Sequence, residues 1–96
     1  MSEGLTPRSV RALDLHGAFI RRTDLSNASL VGANLSYADC SNATFRGADL
    51  KDAILKGTIL RGADLTDVRN LTREQLAEAV IDENTKLPAY LRSREE

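Results

Sequence analysis

From Leu13 to Asp67 the chain divides, without insertion or deletion, into eleven five-residue units: LDLHG, AFIRR, TDLSN, ASLVG, ANLSY, ADCSN, ATFRG, ADLKD, AILKG, TILRG and ADLTD. The third residue of each unit is apolar, and the first is Ala in eight of the eleven. On an α-helix, at about 100° per residue, a spacing of five turns each successive Leu by roughly 140°, so no apolar stripe forms. On a flat strand an odd spacing sends successive Leu residues to opposite faces. A chain that turns a corner every five residues satisfies the pattern instead. The first and third residues, two apart on an extended segment, then face the same way. Nine of the eleven fifth residues are Gly, Asn or Asp, types that tolerate positive φ or support turn hydrogen bonds. Four such sides close a square coil of twenty residues that can stack on the next at about 4.8 Å.

Units such as Ala33-Asn34-Leu35-Ser36 and Ala48-Asp49-Leu50-Lys51 resemble the A(D/N)LXX signature of the pentapeptide-repeat family. The resemblance covers 55 of 96 residues continuously. It implies an all-β solenoid, a right-handed quadrilateral β-helix with the first and third residues of each unit inside. Departures from the signature are the large Leu13, the outward Phe19 and the central Cys40. Stacking every twenty residues predicts four core columns: Leu15, Leu35 and Leu55; Ile20, Cys40 and Leu60; Leu25, Phe45 and Leu65; Leu30 and Leu50. Eleven units give about three coils, a rod about 13 Å long by strand spacing.

Three segments are expected: 1–12, an N-terminal segment that forms a helical cap or an extra coil start; 13–67, the coil; and 68–96, a C-terminal capping helix and tail. Thr6-Pro7 reads as an N-cap and helix N1 pair, whereas Leu5 and Val10 stay in phase with Leu15. Thr72 and Gln75 form the S/T-x-x-E/Q capping box, and Leu71 with Leu76 a hydrophobic staple. They predict an α-helix to about Ile81, presenting Leu76, Ala79 and Val80 to the last coil over Leu50, Leu55, Leu60 and Leu65. The tail from Asp82 to Pro88 resembles the segment that follows such a helix in bacterial members of the family, with Leu87 and Tyr90 docking on the body. Residues 1–4 and Arg92 to Glu96 are expected to lack fixed structure.

Chemistry is sparse. His16 is the single histidine and Cys40 the single cysteine, so neither a zinc site nor an intramolecular disulfide can be assembled. Cys40 stands at a core position. Gly57 and Gly62 imitate the spacing of a phosphate loop, but Ala63 stands where its Lys belongs. No nucleophile–base pair has local support, and a filled prism offers no cavity, so neither an enzyme nor a cofactor is expected. There is no bilayer-spanning apolar run and no signal-peptide core, so no membrane is implied and a cytoplasmic setting is the default.

Function then falls to the outward residues. Phe19, Ile54 and Ile59 stand where the repeat prefers Asp or Asn, and with Arg21, Arg22 and Tyr37 they make the candidate surface for another protein. The competing expectation is that the tail covers Ile54 and Ile59 and that Phe19 packs on the N-terminal segment. Ser36 is expected to face outward and to tolerate Asp. One class within the family mimics DNA and inhibits type II topoisomerases through a long acidic rod. Here seven acidic and six basic side chains lie within Leu13 to Asp67, which removes the electrostatic basis of mimicry. A basic stripe with stacking aromatics is lacking too, so direct nucleic-acid binding is not expected. A homodimer through a coil end, the N-terminal one by preference, is the remaining assembly expectation.

Overall fold

The computed structural model describes residues 13–92. The expectations for residues 1–12 and 93–96 lie outside that range. The chain winds into a square coil whose four sides are each marked by one bridging residue per turn, the second of its unit. Side one is bridged through Asp14, Asn34 and Ile54; side two through Phe19, Asp39, Ile59 and then Val80. Side three runs Asp24, Thr44, Asp64 and Lys86, and side four Ser29, Asp49 and Arg69. All these bridges are parallel, and within the repeats each joins residues twenty apart. Among the described residues no side lengthens into a continuous strand. Two of every five residues are spent on the corner, so a side keeps room for one bridge.

Each rung nonetheless satisfies its backbone. On side one, Leu15 N–H donates to Asn34 C=O (2.7 Å), Asn34 N–H to Leu13 C=O (2.8 Å) and Gly17 N–H to Ser36 C=O (2.9 Å). At the corner, Ala18 N–H donates back to Leu15 C=O (3.0 Å), the i to i+3 closure of a β-turn. All eleven fifth residues have positive φ, from 58° at Arg22 to 73° at Gly47. Arg22 and Tyr37 are the two that residue type alone would not place there. A positive φ at the third turn residue is the mark of a type II turn.

Inside the coil the predicted columns form. Leu35, Cys40, Phe45, Leu50, Leu55, Leu60 and Leu65 are buried, with Leu15, Ile20 and Leu25 half-buried against them. Ala33, Ala38, Ala43 and Ala48 line the same shaft, where the sides are too close for a larger residue. Thr58 takes an Ala position and directs its hydroxyl to Leu35 C=O (2.6 Å), which satisfies the buried oxygen.

The repeat ends at Asn70, whose φ of 63° turns the chain two residues early and leaves Leu71 to fill the core. Helix α1, Arg73–Ala77, follows. Its capping box is complete: the Thr72 hydroxyl accepts from Gln75 N–H (3.1 Å), and the Gln75 side chain accepts from Thr72 N–H (2.8 Å). The helix is shorter than expected and ends before Val80 because the coil takes that residue. Val80 N–H donates to Thr58 C=O (2.8 Å), and Leu60 N–H donates to Val80 C=O (2.7 Å), so Val80 becomes a rung of side two. The helix does not span all four columns. Leu76, with Ala79 just beyond the helix, packs against the core as expected, and Gln75 Nε2 donates to Leu50 C=O (2.8 Å) and Ala53 C=O (2.9 Å) at the corner between sides four and one.

The other sides finish differently. Lys86 bridges Asp64 on side three, while Thr85 donates its hydroxyl to Leu60 C=O (2.8 Å). Asp82 Oδ1 accepts Gly62 N–H (3.1 Å), standing in for the carbonyl of a further coil. On side four the Tyr90 hydroxyl accepts from Leu71 N–H (3.0 Å) and donates to Val68 C=O (3.1 Å). Leu87, Pro88 and Leu91, the last in a 3-10 turn over Ala89–Leu91, pack beneath it.

Candidate interaction surface

The second residue of a unit does more than bridge. Its side-chain oxygen accepts the N–H of the fourth residue, two positions on, closing an Asx-type turn before the corner. Asp24 accepts from Ser26 (2.9 Å), Asn34 from Ser36 (3.0 Å), Asp39 from Ser41 (3.1 Å), Asp49 from Lys51 (3.0 Å) and Asp64 from Thr66 (3.0 Å). Three of these also accept a hydroxyl proton, from Ser36, Ser41 and Thr66. These bonds hold the turn carboxylates below the usual range. For Asp39 the Ser41 hydroxyl and then its N–H are responsible; for Asp49 the Asn70 amide and then the Lys51 N–H. Burial pushes Asp64 upward, but the Thr66 bonds and Arg46 outweigh it.

Phe19, Ile54 and Ile59 cannot make this bond. All three lie on sides one and two, where their side chains stand outward from the rungs. Phe19 is 87% exposed and Ile54 47%, whereas Ile59 is half-buried beside the Val80 rung. The C-terminal segment therefore adjoins Ile59 without hiding Ile54. Tyr37 marks the corner between the same two sides. Its ring lies against Gly57, where an added Cβ would come within 2.5 Å of it, and the His16 ring meets it edge-on with centroids 6.0 Å apart. Ser36 is outward but covered, at 8% exposure, and its hydroxyl is committed to Asn34 Oδ1 (2.6 Å). Ser36→Asp would set two oxygens against each other there, so the expected tolerance does not hold.

Charge is mixed on both pairs of sides. Sides one and two with their corners carry Arg21, Arg22, Lys56 and Arg61 against Asp14, Asp39, Glu78 and Asp82. Sides three and four carry Asp24, Asp49, Asp52, Asp64 and Asp67 against Arg46, Lys51, Arg69 and Lys86. Arg21 approaches Asp39 at 3.8 Å and Arg46 approaches Asp64 at 3.2 Å. The six predicted surface residues thus gather on two adjacent sides and their corners, with Arg22 at the far corner towards side three. Lys56, His16 and Val80 join them. The twenty-residue stacking places Lys56 and His16, but Val80 was hidden by its helical reading.

Elsewhere the described residues converge little. An open concavity of about 550 Å³ lies between Lys51, Asp52, Asn70 and the start of α1, lined also by Gln75, whose amide is already engaged. Burial, with a lesser push from Asp39, raises the Cys40 thiol to about 12, so it is inert at neutral pH. Among the described residues no group of three or more His, Cys, Asp or Glu side chains could hold a metal ion, and no helix is long and apolar enough to cross a membrane.

Stacked square coils bridged at one residue per side place the molecule among quadrilateral β-helices. Its repeats belong to the pentapeptide-repeat family: the family described as Pentapeptide repeats matches residues 28–67 in eight copies. The chain is similar to Rfr23, a pentapeptide repeat protein from the cyanobacterium Cyanothece 51142, with 31% identity over 80% of this chain and 52% of that one, at a TM-score of 0.70. It is also similar in fold to two trypsin-treated forms of QnrB1, a plasmid-mediated fluoroquinolone resistance protein. Each shows 18% identity over 80% of this chain, and 35% or 36% of its own, at a TM-score of 0.64. The chain spans about half the length of Rfr23 and about a third of QnrB1. No curated protein matches it.

Proposed function

We propose that the chain is a non-enzymatic scaffold, an interaction module that presents sides one and two of a rigid coil to another protein. In this reading residues 13–67 form the presenting body, and 68–96 cap it, with α1 at the corner between sides four and one. The observation that carries the proposal is the forfeited turn bond. At Phe19, Ile54 and Ile59 the coil gives up a local hydrogen bond and gains an outward apolar side chain, and all three sit on adjacent sides. A preorganised backbone lowers the ordering cost of association, and the outward residues supply specificity.

The test uses substitutions that restore the turn bond: Phe19→Asp, Ile54→Asn and Ile59→Asn. The triple variant is expected to melt no lower than wild type and to lose the partners that wild type retains in affinity purification. Retention of every partner by a folded triple variant would refute the proposal.

Two other readings are weaker. A DNA-mimicking topoisomerase inhibitor needs an acidic rod, and four basic side chains on two of the four sides oppose it; no effect on supercoiling is expected. For a homodimer, the support is the unequal coil ends. The C-terminal end is closed by Gln75, Val80, Lys86 and Tyr90, whereas the backward N–H and C=O groups of Asp14, Phe19, Asp24 and Ser29 have no backbone partner among the described residues. Sedimentation equilibrium showing a strict monomer at high concentration would exclude it.

A further inference from the structure

We infer that side two receives a second copy of this chain, the two rods lying antiparallel and face to face. The inference rests on the scaffold reading above and names the occupant of one of its two sides. Side two and its corners hold Phe19, 87% exposed, and Tyr37, 54% exposed. The charged residues of this face fall into four levels along the coil axis. The first level holds Arg21 and Arg22, the second Asp39, the third Arg61, and the fourth Glu78, Asp82 and Glu83. Glu78 is placed by its carbonyl, which accepts Gly57 N–H (2.8 Å), and Asp82 by its bond from Gly62 N–H (3.1 Å). Glu83 follows at the corner where the chain leaves the Val80 rung for the Lys86 rung. All of them but Asp39 are exposed.

Read along the axis, the levels carry two positive charges, one negative, one positive and three negative. Reversing the order sets unlike charge against every level: two positive against three negative at each end, and one negative against one positive in the middle. A parallel pairing would set each level against itself, like against like throughout, so sign alone decides the orientation. At each end Arg21 lies opposite Asp82, because both occupy the fourth column of the repeat, and Arg22 lies opposite Glu83 at the corner. Phe19 meets Val80 in the same register. The two Tyr37 rings, each lying over its own Gly57, meet at the twofold axis. Asp39 already approaches Arg21 of its own copy at 3.8 Å, so the ends carry most of the pairing. Asp14 and Lys56 on side one, and Asp24, Asp64 and Lys86 on side three, face away. A partner of one sign, nucleic acid included, would meet like charge at two of the four levels. Four levels at strand spacing span about 14 Å, so the contact is small and the dimer belongs to the weak, transient class.

Sedimentation equilibrium of the chain from micromolar to millimolar concentration at low salt is expected to show a monomer–dimer equilibrium that added salt weakens. Reversing the basic end (Arg21→Glu, Arg22→Glu) should weaken association about tenfold, and so should reversing the acidic end (Glu78→Arg, Glu83→Arg), since either sets like charges together. Asp82 is left in place because it caps Gly62. The fourfold variant, with both ends reversed, opposes unlike charges again and should regain the dimer, which a chain that fails to fold would not. A wild-type chain that stays monomeric to millimolar concentration would overturn the inference. So would a dimer indifferent to the Glu78 and Glu83 changes, which is the behaviour of a contact through the N-terminal coil end, or a fourfold variant that does not recover. The scaffold reading is judged separately, by affinity purification. A monomer whose partners depend on Phe19, Ile54 and Ile59 overturns the inference and leaves that reading standing; a monomer whose partners do not depend on them overturns both.

Discussion

Replacing Gly57 by Ala separates two costs that a coil corner imposes. The first is conformational: Gly57 has φ of 67°, and an L-residue with a Cβ pays about 1–2 kcal/mol there. Gly17, at the same corner one rung pair earlier with φ of 70°, pays this too, and a Cβ on Gly17 meets nothing within 4 Å. The second cost is steric, and of these two glycines it falls on Gly57. Its Cβ would come within 2.5 Å of both Cδ1 and Cε1 of Tyr37, where ordinary contact begins at 3.4 Å. The ring cannot bend and must leave its rotamer, at about 0.5–1.5 kcal/mol. Gly57→Ala should therefore cost about 1 kcal/mol more than Gly17→Ala, which in a domain of this size is about 4–8 °C in Tm. The difference should vanish in a Tyr37→Gly background, since Gly accepts positive φ and has no side chain to displace. Urea or thermal unfolding of the four-member cycle reads the coupling directly. Equal costs for the two glycines in the Tyr37 background, or a coupling of zero, would refute the packing of Tyr37 on Gly57.

Other expectations follow from the same contacts. Cys40 should resist maleimide or disulfide reagents at neutral pH and react only as the coil opens, so its labelling rate should track stability in urea; rapid labelling in water would contradict its burial. Removal of the Gln75 amide by Gln75→Ala takes away the N3 half of the capping box and leaves the Ala53 carbonyl without its donor, while Leu50 C=O keeps the turn bond from Ala53 N–H; about 1–3 kcal/mol should be lost in equilibrium unfolding, against little change for Arg73→Ala. The turn carboxylates make stability acid-sensitive. Their folded values lie below 3.8, so their contribution is complete above that value and is lost as pH falls through the lower folded values. Melting temperature should accordingly be flat above about pH 5 and fall below about pH 4, with Asp39→Asn, which keeps the turn acceptor, reducing the slope.

Much of this molecule is legible in the sequence because one period governs it. Once the phase is set by Leu15, Leu35 and Leu55, the core columns and the positive-φ corners follow, including those at Arg22 and Tyr37 where residue type argues the other way. The capping box at Thr72 and Gln75 is equally local. Where the period stops, reading becomes harder. Val80 fits the apolar face of a helix as well as a rung of side two, and the open backbone of Thr58 and Leu60 decides for the rung. Asp82 and Tyr90 end the coil by replacing backbone partners with side-chain atoms, a substitution that has no sequence spacing of its own. Ser36 has the identity and phase of a surface residue, yet its neighbours cover it. For the candidate surface, the apolar departures at Phe19, Ile54 and Ile59 are plain in the sequence. What they forfeit is visible only beside the Asx turns of their neighbours.

The claim on which the fold and the surface both depend is that each residue lies beside the one twenty positions away. Through-space amide NMR contacts test it most directly. Contacts joining the Leu35 N–H to Ile54 and the Cys40 N–H to Ile59 are predicted, with the corresponding nitrogen-to-oxygen distances of 2.9 Å and 2.8 Å. Sequential helical contacts through 33–60, with no contact between Leu35 and Ile54, would contradict it.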